Sequence, residues 1–185
     1  NDDGSPPEHM QAIRDELLAQ GEQLLWANTK RFGGGTYFCG VGWNACLGNA
    51  HQYSDFVLWM EDDWVLEQPF EIERHVRLLM EREDIGIVTY RGLTEGNDVT
   101  ITVHDGYHYL MFQRSCTMAY SGNPHLRHAR FVRAYGWFTE NHNPGDMEVN
   151  YDWRFRKRTG PNIWRPAGIN PWGAFGHIGK DPSFL

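Results

Sequence analysis

Apolar residues along the chain fall in short runs between glycines, prolines and acidic turns, and the spacing inside each run predicts its element. Ser5, Pro6 and Glu8 form a capping box with proline at the first helical position. Met10, Ile13, Leu17 and Leu24 then share one helical face, which predicts a helix from about Pro6 to about Lys30. After Gly33-Gly34-Gly35, Thr36–Cys39 reads as a short strand, Gly40–Gly42 as a turn and Trp43–Gln52 as a small helix. Phe56-Val57-Leu58-Trp59-Met60 is an unbroken apolar run, too short for a free-standing helix. It predicts a strand buried on both faces, as in a parallel sheet. Pro69 and Phe70 open a helix to about Glu83, with Ile72, Val76, Leu79 and Met80 on its buried side, and Ile85–Tyr90 is the next strand. Val99, Ile101 and Val103 alternate up to Asp105-Gly106, and Tyr107, Tyr109 and Met111 alternate after it, which is a hairpin signal. Cys116–Tyr120 reads as a strand, and Pro124 opens a helix that Gly136 ends after Tyr135. Asn143 as cap and Pro144 in the first turn predict a helix to about Arg158, and Ile163–Arg165 is a last short strand. Strands alternating with helices predict one α/β layer domain over residues 1–185 with a mainly parallel central sheet. Its tail, Pro166–Leu185, is rich in glycine, proline and aromatics.

Composition narrows the class. The 185 residues are 41% hydrophobic, enough for a folded core. Net charge is −7 with no basic block, which argues against nucleic acid as a partner. No apolar run is long enough to span a bilayer and no signal peptide is visible, so the expected setting is cytoplasmic or peripheral at a membrane. Cys39, Cys46 and Cys116 are odd in number and lack CxxC spacing, which suits a reducing compartment. Half of the eight tryptophans lie from Trp137 onward; such rings stack on sugars or fill cores.

Chemistry concentrates after the apolar run, where Glu61, Asp62 and Asp63 follow one another. Adjacent carboxylates repel, and a divalent cation relieves that cost. Hard oxygen ligands suit Mg²⁺ or Mn²⁺, which share their shell with substrate phosphates. Ligands in open α/β sheets bind beyond the carboxyl ends of strands, where these acids stand. Asp146 and Glu148 lie in a first helical turn, where an acid also complements the helix dipole. His177 stands between glycines in GAFGHIG, while His104, His108, His125 and His128 show no ligand spacing and read as surface or hairpin residues.

Taken in order, these residues resemble the family-2-like glycosyltransferases of the GT-A fold, a three-layer α/β/α sandwich. Asn1-Asp2-Asp3-Gly4-Ser5 is similar to that family's Asp-Asp-Gly-Ser turn, and Gly42-Trp43-Asn44 with Ala50 to its Gly…Ala-Arg-Asn…Ala segment. Glu61-Asp62-Asp63 resembles the Asp-x-Asp metal motif, and Gly136-Trp137-Phe138 with Gly145-Asp146-Met147-Glu148 the Gly-Gly-Phe…Glu-Asp segment.

The resemblance implies transfer of a sugar from a UDP- or GDP-sugar to the hydroxyl of a saccharide or other acceptor, with inversion. It implies that Asp63, Glu61 and His177 hold Mn²⁺ or Mg²⁺. Asp2, Asp3, Asn44 and Asp62 then contact the nucleotide-sugar, and Glu148, with Asp146 as the alternative, supplies the base. The family's first strand-helix-strand unit, which precedes Asp-Asp-Gly-Ser, is lacking here, so the fold is expected to be N-terminally incomplete and part of the nucleotide pocket missing unless another segment supplies it. Trp43 stands where the family often has arginine, a contact that Arg91 or Arg114 would replace. Two other readings are a non-catalytic carbohydrate- or nucleotide-binding fragment and a sugar-phosphate nucleotidyltransferase. The latter wants a Gly-rich basic phosphate loop near its start, which this chain does not show.

Overall fold

The computed structural model describes residues 7–21, 39–61, 63–93, 97–140, 144–158 and 165–177. Five helices and eight strands lie among them: α1 Pro7–Ala19, α2 Cys39–Ala50, β1 Phe56–Trp59, β2 Trp64–Leu66, α3 Ile72–Glu81, β3 Ile85–Thr89, β4 Val99–His104, β5 Tyr107–Phe112, β6 His125–His128, α4 Ala129–Tyr135, α5 Pro144–Lys157, β7 Arg165–Gly168 and β8 Phe175–His177. The chain groups into two compact units, Asn1–Tyr53 with Trp137–Met147, and Ser54–Gly136 with Glu148–Leu185.

In the first unit, α1 begins close to the expected start but ends at Ala19, with Gln20–Gly21 in a turn, where a helix to about Lys30 was expected; none of its residues is buried, and Ile13 is 52% exposed. Side-chain pairs four residues apart support it, Gln11 donating to Asp15 at 2.7 Å and Gln20 to Glu16 at 2.6 Å. The expected turn at Gly40–Gly42 is instead the first turn of α2, and Cys39 is helical rather than extended. Glycine serves close packing there. A Cβ on Gly40 would collide with the Thr139 carbonyl oxygen and lie 2.8 Å from Met147 Sδ. Along the same helix, Trp43 meets Phe138 edge to face at 4.9 Å.

The second unit is built on a six-stranded sheet in the order β1-β6-β3-β7-β5-β4, beside a two-stranded sheet of β2 and β8. Its class is mixed α/β. The expected mainly parallel sheet is replaced by a mixed one: among the described residues β3 and β7 run parallel, while β1–β6, β3–β6, β5–β7 and β4–β5 are antiparallel. The expected place of Phe56–Met60 inside the sheet, buried on both faces, is also overturned. Among the described residues β1 pairs with β6 alone, and its side chains alternate, Trp59 inward at 8% exposure and Leu58 and Met60 outward at 41% and 52%.

Inside this unit Ile85–Thr89 is wholly buried. Its core gathers Leu78, Leu79, Val88, Tyr90, Met111, Leu126, Ala167 and Phe175. The β4–β5 hairpin turns at Asp105 and Gly106, with φ of 49° and 72°, as a two-residue turn of primed type requires. On α3 the buried residues are His75, Leu78 and Leu79, while Met80 is 64% exposed, so the inward face is rotated from the expected one. His75 is held by rings: it stacks on Phe70 at 5.9 Å, and its Nδ1 lies 3.0 Å from the Tyr90 hydroxyl. The residues after Pro124 are strand β6 before they are helix. Cys116–Tyr120 forms turns, and β7 begins at Arg165 where a strand over Ile163–Arg165 was expected.

Candidate functional site

Glu61 follows β1 after Met60, and Asp63 leads into β2. β2 runs antiparallel to β8, with Trp64 opposite His177, and this register brings the late histidine back to the acids. Asp63 Oδ2 lies 2.9 Å from His177 Nε2, a hydrogen bond that becomes an ion pair when the imidazole is protonated. The indole of Trp64 sets the ring plane, edge to face at 4.9 Å. Asp63 Oδ1 and His177 Nδ1 are both buried without a hydrogen-bond partner among the described residues. Other side chains share this feature, Trp64 and Tyr109 among them, and such atoms are places where water, an ion or a ligand can bind. Among the described residues no group of three or more His, Cys, Asp or Glu side chains is placed to hold an ion.

A second group of polar side chains lies in the same unit. Glu148 on α5 accepts a hydrogen bond from the Gly122 backbone N–H through Oε1. Burial pushes its carboxyl above the ordinary range, although the Gly122 N–H and the Arg91 guanidinium both work in the opposite direction. Glu148 and Glu61 both raise the Tyr120 hydroxyl, which burial already drives up strongly, so the two acids act on one buried phenol. Four residues beyond Glu148, Asp152 turns to the same helix face. It accepts from the Tyr120 N–H at 3.1 Å, pairs with Arg156 at 3.2 Å, and is likewise pushed up by burial. Asp152 was missed from the sequence, where the i, i+4 spacing from Glu148 was the available signal.

The other expected site residues have different surroundings. Asn44, in the first unit, accepts from the Phe138 N–H at 2.9 Å and donates to the Phe138 carbonyl at 3.0 Å and to Glu140 at 3.1 Å, so its amide ties α2 to the segment after Gly136. Asp146 is exposed in the first turn of α5. Arg91, expected as a phosphate contact, is 5% exposed and donates to the carbonyls of Gly92 and Met118 at 3.2 and 2.6 Å. His125, expected at the surface, is 1% exposed, and burial lowers its imidazole to about 3. Asp2, Asp3 and Asp62 lie outside the described residues. No helix among the described residues is long and apolar enough to cross a membrane. Compared with known proteins, the chain matches no family model, and no curated protein is significantly similar to it.

Proposed function

We propose that this chain is a metal-dependent glycosyltransferase of the GT-A type, moving a sugar from a UDP- or GDP-sugar to an acceptor hydroxyl with inversion. The observation that carries the reading is the meeting at 2.9 Å of His177 with Asp63, the last acid of the Glu61-Asp62-Asp63 run, each with a buried atom unpartnered among the described residues. In this reading Asp63 and His177 hold Mn²⁺ or Mg²⁺, while Glu61, expected as a third ligand, is not grouped with them. When bound, the cation neutralises charge on the departing nucleoside diphosphate. Glu148 takes the proton of the acceptor hydroxyl. A carboxyl raised by burial is better matched to that task near neutral pH than an ordinary one. Gly122 N–H fixes the orientation of its Oε1, and the buried Arg91 guanidinium favours its charged form. Asp146, exposed in the first helical turn, complements the helix dipole. Asp2, Asp3 and Asp62 would meet the nucleotide-sugar. The setting that goes with this reading is cytoplasmic or at a membrane surface.

A second reading, a carbohydrate-binding module without catalysis, draws on Trp172, which is 81% exposed. A panel of UDP- and GDP-sugars with Mn²⁺ or with EDTA, scored for nucleotide release and sugar transfer, separates the two. The transferase reading expects Mn²⁺-dependent release that Glu148→Gln slows. Saccharide binding with no nucleotide affinity under any metal condition supports the second reading and overturns the first.

A further inference from the structure

Strand β4 closes one end of the six-stranded sheet, and no described strand pairs with its outer side. Sheet edges in soluble proteins are ordinarily protected by lysine, proline or a bulge. This one is Val99-Thr100-Ile101-Thr102-Val103-His104, without a carboxylate, lysine, arginine or proline, and its pairing with β5 runs without a register shift. Ile101 is 68% exposed and Val103 57%.

The segment reads the same in both directions. Val99-Thr100-Ile101-Thr102-Val103 is a palindrome centred on Ile101. A second copy related by a two-fold axis through Ile101 therefore sets valine against valine, threonine against threonine and isoleucine against isoleucine. The backbone agrees with that register. Gln113 donates to the Asp98 carbonyl at 2.9 Å, so Asp98 and Gln113 are a hydrogen-bonded pair, and Thr100, Thr102 and His104 follow as the residues bonded to β5. Val99, Ile101 and Val103 consequently turn their N–H and C=O groups to the open edge. About the Ile101 axis, these same residues become the hydrogen-bonded pairs of the new ladder. Had the palindrome been centred on either threonine, the outward groups would have fallen out of step. Asp98 of each copy comes opposite His104 of the other, at the two ends of the palindrome. Within one chain Asp98 accepts from the Ser115 hydroxyl and His104 bonds Glu81.

We propose that β4 is a self-association edge, and that two copies of this chain join antiparallel through Val99–Val103 into one continuous sheet. Ile101 of the two copies then lie side by side on the same face.

Sedimentation velocity of the whole chain, from about 1 µM to about 1 mM, reads the association directly. The expected mass rises from one chain towards two. Ile101→Lys places like charges opposite each other at the axis and raises the dissociation constant at least about tenfold, with the far-UV spectrum unchanged. Ile101→Cys gives a disulfide-linked dimer under mild oxidation, since hydrogen-bonded pairs stand about 5.5 Å apart at Cα. Thr100→Cys, about 8 Å from its counterpart, gives no more cross-linking than the parent chain with its own cysteines. A monomer at every concentration overturns the proposal. So does a dimer that Ile101→Lys leaves intact, and so does equal cross-linking of the two cysteine variants, which would remove the register.

Discussion

The turn at Gly173 is the structural hinge on which the placement of His177 depends, and its replacement by alanine has a cost that can be worked out. Gly173 has φ of 77°, and a Cβ there would lie 2.5 Å from the Arg91 carbonyl carbon and the Tyr90 oxygen, with the Gly92 nitrogen closer still. All three are backbone atoms of the segment leaving β3, which cannot swing aside like a side chain. The turn is locked from the other side by Asn170, whose Oδ1 accepts from the N–H groups of Trp172 and Gly173 at 2.8 and 2.6 Å. Just past it, Ala174 N–H donates to the Tyr90 carbonyl at 2.7 Å, and its own carbonyl accepts from Glu67 and Gln68, which sets β8 against β2. Gly173→Ala adds about 1–2 kcal/mol for a left-handed residue and about 1–3 kcal/mol for forcing a methyl into packed backbone. The expected loss is about 2–5 kcal/mol. At about 2–4 °C per kcal/mol for a chain of this size, the melting temperature falls by about 4–20 °C. Gly106→Ala is the matched control: φ is 72°, but nothing lies within 4 Å of the added Cβ, so only the conformational part applies. Thermal and urea unfolding of both variants decide the matter. Equal losses would refute the claim that close backbone approach fixes this turn.

Acid should act first on the buried histidines. Burial lowers the His75 imidazole from 6.5 to about 4, so the unfolded chain binds the extra proton between those values. His75 therefore makes stability fall as pH drops from 6.5 towards 4 and leaves it flat above 6.5, and in His75→Gln the urea midpoint loses part of that slope. Glu148 has the opposite sign. Its raised folded pKa means that the native state holds the proton more tightly, so stability declines as pH rises from the ordinary carboxyl value through the raised one. Glu148→Gln, which keeps an acceptor for Gly122, should equal or exceed the parent in stability at pH 7 while slowing turnover by about 10²–10⁴-fold. Asp146→Asn should leave turnover nearly unchanged and cost about 0.3–1 kcal/mol in thermal unfolding at low salt.

Much of the local structure was legible because local chemistry decides it. Asp105-Gly106 between alternating runs has few outcomes besides a tight hairpin, and Gly136 ends α4 as expected. What escaped was decided by residues distant in sequence. Gly40–Gly42 resembles a turn until Thr139 and Met147 are seen to need the space above Gly40. β2 and β8 are three residues each, too short to register as periodicity, yet their pairing creates the Asp63–His177 contact. His125 reads as a surface or hairpin residue and His75 gives no signal in the sequence, but rings surround both: Trp59 and Tyr120 beside His125, and Phe70, Tyr90 and Tyr109 beside His75. The direction of the strands was not legible, because an apolar run such as Phe56–Met60 looks the same at a sheet edge as at its centre. Of the candidate site, the acidic run and Glu148 were visible from residue type and order, whereas Asp152 and the role of Tyr120 required the packing of α5.

The central claim is that Asp63 and His177 hold a cation together with a nucleoside diphosphate. Calorimetric titration of UDP and GDP into the parent chain and into Asp63→Asn, each with and without Mn²⁺, tests it most directly. Asp63 is 43% exposed, so neutralising it costs little in folding, and both proteins should melt within a few degrees of each other. The account predicts that one of the two nucleotides binds the parent chain only when Mn²⁺ is present, and that Asp63→Asn weakens this binding at least about tenfold, a loss of about 1.4 kcal/mol or more. Equal affinity of parent and variant, unchanged by Mn²⁺, would contradict it.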